Sequence, residues 1–137
     1  MEVLNSNELS QALDRCRMYP KYSVGVMFDR AERQKEFVAE MRTTRNTNWS
    51  VPRYGMTIRF ENGSYIKPIY VNTANGMRGL RFNEILYDGD SFNEDYVNTV
   101  FKPMLKSYTI PEFGDSTDVV FEDASLSDFL DTFKINK

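Results

Sequence analysis

The sequence predicts a small single α/β domain with a short mixed sheet, a β-hairpin and flanking helices. Three observations lead there. The chain starts in a helix, strand, helix order; its first long strand is apolar almost without interruption; and an Asn-Gly pair separates two strand-like segments, as a hairpin turn requires. At 137 residues and 41% hydrophobic, the chain has the apolar content for one core and the length for one domain.

Asn5 or Ser6 is placed to cap a first helix. On it Leu9, Ala12, Leu13 and Cys16 recur at i, i+3, i+4, i+7 as one apolar stripe, and Pro20 closes the segment. Residues 21–28, KYSVGVMF, are rich in β-formers and nearly all apolar after Ser23, the pattern of a strand covered on both faces. Asp29, with Glu32 three residues on, has capping-box spacing and predicts the start of a second helix, buried through Phe37, Val38 and Met41. Residues 42–55 are polar and irregular. They include Arg42, Arg45, Trp49, Arg53 and Tyr54, a set able to neutralise and stack on nucleic acid, and equally the composition of a solvated loop.

Met56, Ile58 and Phe60 then alternate with Thr57 and Arg59, Asn62-Gly63 offers a turn able to take φ > 0, and a second strand follows. Pro68 cannot donate to a ladder, so that strand is expected at a sheet edge or bulged. Ile85-Leu86-Tyr87 is a short apolar strand that ends on Asp88. Residues 91–108 look helical, with Tyr96, Val100, Phe101, Met104 and Leu105 apolar and Pro103 kinking or ending the helix.

Charge is unevenly placed. Residues 1–111 carry 15 Lys or Arg against 13 Asp or Glu, whereas residues 112–137 carry 2 against 7. The division is into a mildly basic core, 1–111, and an acidic tail, 112–137; composition alone gives no strong phosphate-binding footprint and does not indicate tight, direct DNA binding. The absence of an apolar run near 18 residues and of a charged-then-apolar leader leads us to expect a soluble intracellular protein with no membrane partner. Cys16 stands alone and there is no histidine, which excludes an internal disulfide, the usual zinc ligand sets and histidine-based catalysis.

The order of these parts resembles a known family. A strand with its helix (SVGVMFDRAERQKEFVAEM), a hairpin on an Asn-Gly-Ser turn (IRFENGSYI) and then RGLRFNEILYD are similar to the central portion of the ATPase domain of phage large terminase subunits, the DNA-packaging motors of tailed phages. The resemblance runs from about Tyr22 to Phe92. It implies a P-loop-ATPase-like core in which Asp88 stands where the family's apolar strand ends in Asp-Glu, and in which Arg78 and Gly79 match an Arg-Gly pair common shortly before that strand.

Two departures shape what the resemblance implies. The G-x-x-x-x-G-K-[ST] loop that grips phosphate is absent, the chain being expected to begin near the helix that would follow it. Gly89 stands where the family places a catalytic Glu, and glycine cannot orient or polarise an attacking water. The core is therefore expected to be a degenerate ATPase without catalysis or cofactor. Mg²⁺ is left as a weak ligand of Asp88 and Asp90, because a single carboxylate holds it poorly without a bound phosphate; Asp88-Gly89-Asp90 also reads as an ordinary turn. Arg78 and Arg81 join Arg45, Arg53 and Trp49 as candidate phosphate or nucleic-acid contacts.

In the tail, Leu126, Phe129, Leu130 and Phe133 fall at i, i+3, i+4, i+7, flanked by Asp123, Asp128 and Asp131. That pattern suits a helix docking into a partner's groove, and equally a terminal helix packed on its own domain. About ten residues here resemble the short C-terminal sliding-clamp-binding peptides of T-even-type phage replication and late-transcription proteins.

These readings together predict a non-catalytic bacteriophage protein acting by binding, in the cytoplasm of the infected host or in the virion, that partners or inhibits DNA-packaging, replication or host machinery. Two alternatives stand beside it. One is a virion structural or connector protein; the other is a Mg²⁺-dependent nucleotide- or nucleic-acid-processing enzyme using Asp88 and Asp90 with Glu84 or Glu94.

Overall fold

The computed structural model describes residues 1–44, 48–71 and 79–111. Six strands form one mixed sheet in the order β1-β6-β2-β5-β4-β3, namely β1 (Glu2–Val3), β2 (Ser23–Phe28), β3 (Trp49–Ser50), β4 (Ile58–Phe60), β5 (Tyr65–Tyr70) and β6 (Glu84–Asp88). β1, β6, β2 and β5 run parallel, while β4 and β3 add on antiparallel beyond β5.

The connections explain which face each helix covers. From β1 to β2 and from β2 to β5 the chain steps in the same direction across the sheet, so right-handed crossovers place both intervening helices on one face. These are α1 (Ser6–Met18) and α2 (Ala31–Thr43). Ala12 and Cys16 of α1 and Phe37, Val38 and Met41 of α2 pack there against Val24, Val26, Phe28, Ile66 and Leu86. From β5 to β6 the chain steps back, and the segment after β6 covers the opposite face through Phe92, Val97, Phe101 and Met104, against Met27 and Ile85. β2 is covered on both sides and all six of its residues are buried, as its unbroken apolar run requires.

Local signals behave as the sequence suggests in most places. The Asn5 side chain caps α1, accepting from the Glu8 N–H at 2.9 Å. The Asn62-Gly63 hairpin turn has Gly63 at φ +91°, and its neighbours stitch α1 to the sheet: Asn62 Nδ2 donates to the Cys16 carbonyl at 2.8 Å and the buried Ser64 hydroxyl donates to the Tyr19 carbonyl at 2.6 Å. After β6 the helical segment is α3 (Glu94–Tyr96), a π turn (Val97–Phe101) and a 3₁₀ turn (Lys102–Met104) that contains Pro103 and ends the helix.

Three expectations are corrected. Asp29 does not cap α2: the N-cap is Arg30, with no side-chain capping bond, because the Asp29 carboxylate instead accepts from the Ser91 backbone N–H at 3.3 Å. Residues 42–55 are not wholly irregular, since α2 runs to Thr43 and Trp49–Ser50 pairs with β4. β5 is not an edge strand, because it pairs β2 along its full length on one side and β4 on the other. Pro68 is tolerated because backbone N–H groups of Tyr65 and Val71 point to β2, so the nitrogen of Pro68 faces the β4 side, and β4 begins at Ile58, opposite Ile66, before it reaches Pro68.

Candidate functional site

Adjacent parallel strands β2 and β6 send their chains to opposite faces from their C-terminal ends, β2 into α2 and β6 into α3. In open α/β sheets the crevice at such a switch point is where ligands bind. The sequence places Asp29 at the first tip and Asp88-Gly89-Asp90 at the second.

The two tips close on each other. Asp88 shares the helix-side face of β6 with Glu84 and Leu86, and its Oδ2 accepts from Arg33 Nε of α2 at 3.0 Å. Arg33 also donates to Glu36 at 3.0 Å, and its pKa is raised above the ordinary value, first by the hydrogen bond to Asp88 and then by that to Glu36. The Asp29 backbone N–H donates to the Asp88 carbonyl at 3.3 Å, while the Asp29 carboxylate reaches across to Ser91. Gly89 has φ +139°, and a Cβ built on it would overlap the Asp29 carboxylate. The position that follows Asp88 therefore has no room for a glutamate in this backbone conformation.

The acidic side chains at these tips differ in their partners. Asp88 is engaged by a cation, Asp29 by a backbone N–H, and Asp90 is exposed. Glu84 is not a fourth ligand, for it sits at the opposite end of β6 in a two-point pair with Arg15, Nε and Nη2 each 2.9 Å from a carboxylate oxygen. Tyr22 donates its hydroxyl to the same carboxylate at 2.9 Å. Burial and Glu84 raise the Tyr22 hydroxyl's pKa, and burial pushes the neighbouring Cys16 thiol up to about 12. This is a structural knot joining α1, β2 and β6. Glu94 opens α3 beyond the turn, and among the described residues no group of three or more His, Cys, Asp or Glu side chains is placed to hold a metal ion.

The candidate phosphate contacts separate. Trp49 donates Nε1–H to the Met41 carbonyl at 3.0 Å and lays its ring 6.0 Å from Phe60, so much of it serves the core edge. It also lines a cleft of about 510 Å³ with Arg17 and Arg59. Arg53 is exposed and stacks over Tyr54, 5.3 Å from the ring centroid. Arg81 lines a second cleft, of about 460 Å³, together with Arg59, Lys67 and Lys106, three residues that sequence reasoning missed. Only Arg59 and Lys67 carried a usable signal, as outward positions of alternating strands; Lys106 arrives by tertiary pairing. Arg45 and Arg78, and Leu126, Phe129, Leu130 and Phe133 of the tail, lie outside the described residues.

No protein-family model, curated protein or solved structure matches the chain. The geometry and the sequence therefore carry the functional reading.

Proposed function

We propose that this chain is a non-catalytic bacteriophage protein that acts by binding, with a degenerate packaging-ATPase-like core, and that it partners or inhibits DNA-packaging, replication or host machinery. One observation supports the reading above others. At the strand tips where a nucleotide-hydrolysing relative needs a free carboxylate pair, Asp88 is paired with Arg33 and Gly89 is closed against Asp29. A strand tip filled by its own ion pair and backbone cannot also offer two oxygens to Mg²⁺ and a carboxylate to water. The order of strand, helix, hairpin and strand supports the likeness to the packaging motor, with β2 and β6 adjacent and parallel.

A pull-down with the full-length chain from phage-infected cells tests this reading. Recovery of a packaging-motor, replication or host component supports it, and recovery of neck or connector proteins alone favours the virion alternative.

A further inference from the structure

The helical segment after β6 covers β6 and β2 on its face of the sheet, and residues of β4 and β5 beside it line the 460 Å³ cleft. Arg59 and Tyr65 are direct partners in the β4–β5 pair, and Lys67 follows Tyr65 on the same face. Across the cleft, Phe82 seats its ring on Gly25 of β2, where an added Cβ would lie 2.7 Å from the ring. Gly79, Leu80 and Arg81, which precede Phe82, line the same cleft. Phe82 also pairs with the backbone of Met104 and Lys106 at 2.8 Å each, which brings Lys106 to the cleft wall. Four cations from three separate parts of the chain thus converge on one concavity.

Among the described residues, none of the four is in an ion pair and no carboxylate lines the cleft. Side chains of like charge gathered without counter-charges repel one another, and the arrangement suits a polyanion. Tyr65, half-buried in the cleft wall, adds an aromatic surface among the cations. Arg59 also reaches the 510 Å³ cleft beside Trp49, but there Arg17 is paired with Asp14 and Glu61 adds a carboxylate, so the basic surface is the 460 Å³ cleft itself, whose four cations are more than one small anion needs. Cations interleaved with aromatic rings along a track are how single-stranded nucleic acid is held without sequence preference.

We infer that this cleft binds single-stranded nucleic acid, with Arg59, Lys67, Arg81 and Lys106 on successive phosphates and Tyr65 against a base. The site stands on its own geometry and does not depend on descent from a packaging ATPase.

Fluorescence anisotropy of a labelled thymidine homopolymer of about 20 nucleotides, titrated with the full-length protein between about 50 and 200 mM salt, tests it. Four phosphates neutralised on a single strand give a slope of log Kobs against log salt of about −3. Lys67→Gln with Lys106→Gln should weaken binding and bring the slope to about −1.4, while Lys35→Gln with Lys102→Gln, at exposed positions outside the cleft, should leave both unchanged. Tyr65→Leu should weaken binding at constant slope. Thermal melts of the Lys variants should match the parent, since both side chains are exposed and outside the ion pairs among the described residues.

The inference is overturned by the absence of binding at the lowest salt, or by equal losses in the cleft and control variants. Tighter binding of a duplex, or full displacement by inorganic phosphate at matched ionic strength, also overturns it. So does binding that emerges only in a full-length Asp123→Asn, Asp128→Asn, Asp131→Asn variant, which would make the acidic tail the cleft's occupant.

Discussion

Gly89→Ala probes the closed strand tips most sharply. Gly89 holds φ +139°, a region that side-chain-bearing residues avoid, and adopting it costs on the order of 1–3 kcal/mol. The new Cβ would also displace the Asp29 carboxylate and with it the bond to the Ser91 N–H, a further 0.5–1.5 kcal/mol or so. The sum is about 1.5–4.5 kcal/mol. With a urea slope near 2 kcal/mol/M, the unfolding midpoint should fall by about 1–2 M at unchanged slope. Asp29→Ala removes the obstacle and leaves the backbone strain, so Gly89→Ala in that background should cost about 1 kcal/mol less than in the parent. A Gly89→Ala loss under about 0.5 kcal/mol, or full additivity with Asp29→Ala, would refute the reasoning that the two tips are locked together.

Leu86→Ala, fully buried in the central strand β6, should cost about 2–5 kcal/mol in the same titration, and a loss under about 1 kcal/mol would contradict its place in the core. Cys16 has its thiol pushed from 9.0 up to about 12 by burial, so the unfolded chain releases that proton first and stability should fall as pH rises from about 9 toward 12, with a slope approaching 1.4 kcal/mol per unit for one proton. A melt series in which Cys16→Ala leaves the alkaline slope unchanged would contradict this. Deleting residues 122–137 should leave the melting midpoint of the body unchanged if Phe129 and Phe133 are partner anchors, and a drop of many degrees would show that the stripe completes the domain's own core.

Much of the fold is legible because periodicity survives into tertiary structure. The stripe of Leu9, Ala12, Leu13 and Cys16 and the run Val24–Phe28 each identified both an element and its buried face. The failures have physical causes. Asp29 and Glu32 satisfy the capping-box spacing, yet a carboxylate at a strand tip has a competing donor in Ser91 that only the adjacency of β2 and β6 supplies. Pro68 signals a missing donor correctly, but whether that nitrogen faces a neighbour depends on where β4 begins. Asp88 is placed correctly at a strand tip, whereas its pairing with Arg33 crosses from α2 and has no local signature. The basic cleft was hidden for the same reason: Arg59, Lys67, Arg81 and Lys106 are scattered over nearly fifty positions and meet only through the sheet and the Phe82 bridge.

The central claim, that the strand tips are closed to phosphoryl chemistry, is tested most directly by ATP turnover of the full-length protein at millimolar ATP and Mg²⁺, with Asp88→Ala alongside. No hydrolysis above background is expected in either protein. Turnover in the parent that disappears in Asp88→Ala would contradict it and make the chain an enzyme.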